Sequence, residues 1–215
     1  MKLMPLAIVA VAAVISTNAM AQWTGVSVSI EDYSAGWAFQ TGQHTSDINR
    51  LILNLEEKTA NDLRVGVNIG LISLRISENV SPGNTRKFNV SSLGLYLRLP
   101  LRLGEIFSLQ GQFSYRFNSG SDSIDIDSSQ IEWYETRLEL GFSGQWQTLR
   151  LTPFIAYQIV DGDITDSKGT ELFETNEKIS SGIRIDFFVD PTAYIRFQVS
   201  SGARKGIYLV FAREY

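Results

Sequence analysis

Arginines and carboxylates recur at alternate positions along the second half of this chain, as in Glu135-x-Arg137-x-Glu139 and Arg184-x-Asp186. Spacing of two places such residues on one face of a strand. Arg64, Arg98, Arg116 and Arg196 fall in the same phase, as do Arg50, Arg102, Arg150, Glu56 and Glu214. A guanidinium is a planar fork of donors that matches a carboxylate. Gathered on a concave surface, these groups have two chemical uses. They can pair among themselves as a packed network, or, since arginines outnumber carboxylates, line a narrow passage that favours anions.

Two other sets of residues bear on chemistry. Asp122, Asp125 and Asp127 crowd one polar segment, and Asp161, Asp163, Asp166, Glu171, Glu174 and Glu177 crowd another, against Lys168 alone. Carboxylates can bind Ca²⁺ through oxygen, but Asp161-Gly-Asp163-Ile-Thr-Asp166 lacks the spacing and terminal Glu of an EF-hand loop. Solvated acidic loops are expected, with no metal site and no cofactor. His44 is the single histidine and there is no cysteine. A multi-histidine metal centre and thiol catalysis are therefore excluded, and no serine stands at a spacing that makes His44 its base. A net charge of −4 gives no electrostatic case for nucleic acid.

The elements that must position these groups repeat with period two. Leu63-Val65-Val67-Ile69-Leu71, Leu93-Leu95-Leu97-Leu99-Leu101 and Tyr134-Thr136-Leu138-Leu140-Phe142 each alternate with polar residues or glycine. Segments of this kind run for about 9–13 residues, the length of a tilted strand crossing a bilayer, whereas soluble strands average about 5–6. Short turns at Lys58–Asp62, Leu103–Glu105, Gln145–Thr148 and Asp190–Thr192 alternate with longer polar connections at Tyr33–Asp47, Ser77–Lys87, Asn118–Gln130 and Asp161–Lys178. A final short turn near Ser201–Lys205 stands on the long-loop side. Membrane barrels have short periplasmic turns and long extracellular loops. The predicted fold is all-β: a single antiparallel up-and-down transmembrane β-barrel of ten strands, closed by pairing of the last strand with Trp23–Asp32. Residues 48–58 also fit an amphipathic helix, but parity of the connections favours a strand. The alternative is an eight-stranded barrel over Asp62–Tyr215, with Gln22–Ala60 as a plug or periplasmic piece. Trp23, Phe107, Trp133, Trp146, Phe188, Tyr194 and Tyr215 are placed for headgroup-level rings.

The N-terminus has the form of a secretory leader. Met1-Lys2 is followed by the apolar run Leu6–Ile15 and by Ala19-Met20-Ala21, which predicts cleavage between Ala21 and Gln22. Residues 22–215 form the barrel domain in this reading. No apolar stretch beyond the leader approaches the length of a membrane helix.

With the small-x-small site, the period-two strands and the C-terminal Gly206…Tyr208…Phe211…Tyr215, the chain resembles the small bacterial outer-membrane β-barrels of the OmpA-like and OmpX-like class. Two departures are Tyr215, where that class more often has Phe, and Arg213 within the apolar face. The resemblance implies an outer-membrane location with both termini periplasmic, and contact with outer-membrane lipids and lipopolysaccharide. It also implies recognition of Gly206, Tyr208, Phe211 and Tyr215 by the barrel-assembly machinery. The expected role is structural or one of surface interaction, without enzymatic activity and with an extracellular partner that the sequence does not identify. A narrow pore for small anionic solutes is the first alternative. An outer-membrane protease or lipid A hydrolase is the second.

Overall fold

The computed structural model describes residues 24–59, 62–78, 85–122, 129–167 and 169–215, and these contain strands and turns but no helix. The leader, its cleavage site at Ala21 and Gln22, Trp23, Asp125, Asp127 and Lys168 lie outside the described residues. The strands are β1 (Gly25–Phe39), β2 (Gly42–Lys58), β3 (Arg64–Glu78), β4 (Thr85–Arg102), β5 (Phe107–Asp122) and β6 (Gln130–Trp146). They continue as β7 (Leu149–Asp166), β8 (Gly169–Thr175), β9 (Ile179–Asp190), β10 (Ala193–Gly202) and β11 (Lys205–Glu214). Every pairing is antiparallel, and β11 closes on β1 through the register Gly25↔Glu214 to Ser34↔Lys205. Ten strands form the closed wall, and β8 is added to it between β7 and β1. Residues 48–58 are strand throughout, and β1 and β2 belong to the wall, which removes the eight-stranded arrangement with a plug.

On the outer face, Val28, Ile30, Leu51, Leu53, Ile69 and Leu71 begin an exposed apolar belt. It continues through Leu93, Phe113, Leu138, Ile155, Phe187, Phe197 and Ile207. An exposed apolar band around a closed wall is how transmembrane barrels meet lipid. The two ends differ. One carries Gly25, Glu214 and the tight turns after β2, β4, β6 and β9, and is here named the terminal end. The other is the far end.

Most strands are longer than the sequence pattern suggests, and the reason is a change of phase. Within the belt, apolar side chains point outward and polar ones inward. Toward the far end the alternation inverts: Tyr33, Ala35 and Trp37 of β1 are buried, as are Leu74 and Ile76 of β3 and Phe88 and Val90 of β4. Serines and charged residues take the outside. The predicted long loop Tyr33–Asp47 is therefore mostly strand, with its turn at Gln40-Thr41. The predicted loops Ser77–Lys87, Asn118–Gln130 and Asp161–Lys178 are likewise shortened by strand. Period two persists through the inversion, so the backbone ladder continues where a uniform lipid-facing pattern stops.

The far end also has fewer strands. β9, β10 and β11 stop low, and β8 fills the space above them. It pairs with the upper part of β7 (Asp161↔Glu174 to Asp166↔Gly169) and with β1 (Trp37↔Thr175 to Phe39↔Phe173). The wall thus passes from ten strands to eight, namely β1 to β8. An eight-stranded barrel has an interior just wide enough for side chains to fill, and here they do. Trp37, Trp133, Ile48, Leu74, Phe88, Ile131, Val160, Ile164 and Phe173 form a continuous buried core. The Trp37 ring stacks on Phe173 at 4.6 Å and meets Trp133 at 5.6 Å. Each buried tryptophan removes about 150–250 Å² from water, a gross stabilisation of about 4–6 kcal/mol.

Candidate functional site

Below that apolar core the lumen is polar and charged. Nine arginines and six carboxylates among the described residues meet in ion pairs, in four clusters. At the terminal mouth, Arg64 bonds Glu56 at 2.8 Å and grips both oxygens of Glu214 at 2.6 and 3.0 Å. Arg98 reaches Glu56 at 3.5 Å. This cluster ties β2, β3 and β4 to the closing strand β11. Nearby, Asp186 accepts two hydrogen bonds from Arg196, at 2.6 and 2.9 Å, with Arg150 at 3.8 Å.

Deeper in, Glu139 receives Arg137 at 2.8 Å and is also paired with Arg184. The Nε of Arg184 donates to Gln198 at 2.9 Å. The deepest cluster centres on Glu135, which is 2 % exposed. Arg50 approaches it at 3.2 Å and Arg116 at 3.4 Å, and Arg204 is a third partner. Glu31 lies 3.6 Å from the other Nη of Arg50. The Arg50 and Arg204 guanidinium groups lie over the Tyr33 ring, at 5.5 and 4.8 Å, and Tyr33 stacks on Tyr208 at 5.9 Å. This aromatic pair is the boundary between the charged lumen and the apolar core.

Arg204 enters from an unexpected element. The β10–β11 turn, Ala203-Arg204, is buried inside the barrel rather than exposed at its rim. Gly202 adopts φ +80°, the left-handed conformation that glycine tolerates, and so turns the chain inward. The Ala203 amide donates to the Ile179 carbonyl at 2.8 Å, and its own carbonyl accepts from Gln158 at 3.4 Å. The turn is tucked beneath β8 and adds a cation to the lumen floor.

Arg64, Arg98, Arg116, Glu135, Arg137, Glu139, Arg184, Asp186 and Arg196, together with Arg50, Arg150, Glu56 and Glu214, lie in these clusters. Arg102, read from the sequence as facing the lumen, is instead exposed at the terminal rim. Glu31 and Arg204 were not indicated by their surroundings in sequence. The only signal for Arg204 was the one short connection on the long-loop side. Trp133 and Tyr194, placed by sequence at headgroup level, are buried in the interior. Trp146, Phe107 and Tyr215 are exposed on the outside near the terminal end.

In the closing strand, Phe211 is exposed on the outer face and Tyr208 is buried inside. Gly206 sits opposite Tyr33, and a Cβ there would collide with the Asp32 carbonyl and the Tyr33 backbone. Glycine is needed at this position for close approach across the seam.

At the far mouth, beside a cavity of about 230 Å³ that reaches Ile76 and Ile164 of the apolar core, Thr41 donates to Glu171 at 2.6 Å and lies 3.4 Å from His44 Nε2. The threonine proton is committed to Glu171, so His44 is not placed as its base. Asp161 and Glu174 face each other across the β7–β8 ladder, and Asp166 lies 3.9 Å from Arg86. Among the described residues no three His, Cys, Asp or Glu groups are arranged to hold a metal ion.

No protein-family model and no curated protein matches the chain. Solved structures do. The outer-membrane protease OmpT from Escherichia coli aligns with a TM-score of 0.51 at 8 % identity, over 93 % of this chain and 99 % of that one. The transport unit of the autotransporter AIDA-I from Escherichia coli aligns with a TM-score of 0.51 at 9 % identity, over 94 % of both chains. The β domain of the Bordetella autotransporter BrkA aligns with a TM-score of 0.51 at 10 % identity, over 89 % of this chain and 100 % of that one. The fold is that of an outer-membrane β-barrel. The likeness is one of fold, since a protease and autotransporter domains share it.

Proposed function

We propose that this chain is a closed, non-enzymatic barrel of the outer membrane, with a structural or surface-interaction role rather than a conduit. The observation that carries the reading is the far-end lumen, where an eight-stranded section is filled by the apolar core and underlain by the buried Ala203-Arg204 turn. An ion has no favourable path through an apolar interior of that kind. The apolar belt supports a lipid-facing outer wall that contacts outer-membrane lipids and lipopolysaccharide. Both termini and the tight turns face the periplasm in this reading, and the longer far-end strands face outward to a partner. β11 serves as the strand presented to the barrel-assembly machinery, and the small OmpA/OmpX-like class is the proposed affiliation.

Purified protein reconstituted in planar bilayers tests the proposal. The expected trace is silent in molar salt. Discrete, stable conductance steps that survive repurification would overturn the closed reading and favour the narrow pore.

A further inference from the structure

Among the described residues the lumen charge does not balance. The Glu135 cluster holds Arg50, Arg116 and Arg204 against Glu31 and Glu135; the Glu139 cluster holds two arginines against one carboxylate; so does the Asp186 cluster. Only the mouth cluster, with two of each, is even. Each of these three clusters therefore carries one excess positive charge, on buried guanidinium groups in the Glu135 and Glu139 clusters and with a part-exposed Arg150 in the Asp186 cluster. An uncompensated buried cation costs several kcal/mol, and guanidinium groups do not shed their protons to escape that cost.

A space lies among these clusters. A cavity of about 120 Å³ lies among Arg116, Arg137, Arg184, Arg196 and Arg204, and the carboxylates that line it, Glu31, Glu56, Glu139 and Glu214, are fewer than its arginines. One water needs only about 10–15 Å³ on the same measure. Donors of the deepest cluster are unsatisfied among the described residues: Arg116 Nε, at the cavity, and Arg50 Nε, behind it, are buried without a hydrogen-bond acceptor, while Arg50 Nη1 faces Glu31 at 3.6 Å. The cavity shares Arg98, Tyr194, Arg196 and Glu214 with a second, larger space of about 470 Å³ at the terminal mouth. That vestibule is rimmed by Lys58, Arg64, Arg102 and Arg150, against Asp62 and Glu105. Room, excess charge, unsatisfied donors and a cationic approach coincide in one place, and the apolar core fills the far end.

We propose that the lumen is a blind anion-binding site, loaded from the terminal end and taking small anions of chloride to phosphate size. The bound anions act as the missing counter-charges of the three arginine-rich clusters. The mouth arginines draw them in, since a cleft lined by one sign of charge raises the local counter-ion concentration. That the site is blind rests on the closed reading above; the charge balance does not, so a conducting barrel would remove the seal and leave the anion binding to be read by the measurements below.

Two measurements on the full-length mature barrel in detergent test this. In crystals grown with sodium bromide, anomalous density is expected inside the lumen among Arg116, Arg137 and Arg184. In thermal unfolding, sodium phosphate is titrated at ionic strength held constant with gluconate, a bulkier and singly charged anion. The melting temperature should rise and saturate. Gln198→Glu keeps the length of the side chain that bonds Arg184 but supplies an internal carboxylate, and it should weaken the phosphate response roughly tenfold. Where that variant does not fold, Arg116→Gln carries the same expectation. Glu174→Gln, on the outside of the β7–β8 hairpin, should respond as the wild type. A lumen without bromide, or a phosphate response equal to that of gluconate or unchanged by the lumen substitutions, overturns the proposal.

Discussion

Substituting Glu135 by glutamine tests the deepest cluster with almost no change of shape. The carboxylate is 2 % exposed, with Arg50 at 3.2 Å and Arg116 at 3.4 Å. At an effective dielectric of about 20, each of those two pairs is worth about 5 kcal/mol before desolvation is counted. Desolvation of the ions takes back much of that gain while the pairs are intact. Removing one charge deletes the attraction but leaves three desolvated guanidinium groups facing one another. The expected loss is about 3–5 kcal/mol. Arg204→Met should cost far less, because Glu135 retains two arginines and the local excess of positive charge falls. In the double variant the losses should be non-additive by about 1–3 kcal/mol, as expected for residues in one network. Urea unfolding in lipid vesicles, followed by the fluorescence of Trp37 and Trp133, measures all three. A loss below about 1 kcal/mol for Glu135→Gln would refute the view that this carboxylate organises the cluster.

The remaining predictions concern the seam, the apolar core and one turn. Gly206→Ala forces a Cβ against the Asp32 carbonyl and should destabilise closure by about 1–3 kcal/mol, read as loss of the compact, heat-modifiable band on gels. Trp37→Ala removes the ring stacked on Phe173 and should cost about 3–5 kcal/mol. Amide exchange should rise first in β8, whose contact with β1 is only the short ladder at residues 37–39. At the β9–β10 turn, Asp190 accepts bonds from the Thr192 hydroxyl and amide, at 2.8 and 2.7 Å, and from the Ala193 amide at 2.8 Å. These bonds hold its carboxyl below the usual range, so the turn's support is complete above the unfolded carboxylate pKa of about 4 and is lost as pH falls through the lower folded value. Amide exchange at Thr192 and Ala193 should accelerate in acid, and Asp190→Ala should remove that pH dependence.

Period two was readable residue by residue, because a strand exposes alternate side chains to two solvents and lipid accepts only apolar ones. That alternation, the tight-turn positions and the even parity determined an all-β barrel of ten strands, closed by its last strand. The same phase argument brought Arg64, Arg116, Glu135, Arg137, Glu139 and Asp186 to one side of the wall. It could not indicate which carboxylate each arginine meets, since partners such as Arg64 and Glu214, or Arg50 and Glu135, are joined by the curvature of a closed sheet rather than by spacing. The phase inversion at the far end looked like polar loop for a physical reason. Beyond the lipid the outside becomes aqueous, so serines and carboxylates move outward and Trp37, Trp133 and Phe88 turn in, and a search for outward apolar residues ends there. Only the tertiary structure decided that β8 narrows the wall to eight strands, that the Ala203-Arg204 turn folds into the interior, and that an apolar core fills the far end. Those outcomes depend on which strands stop early and what fills the gap they leave, and distances through space are not written in a one-dimensional pattern.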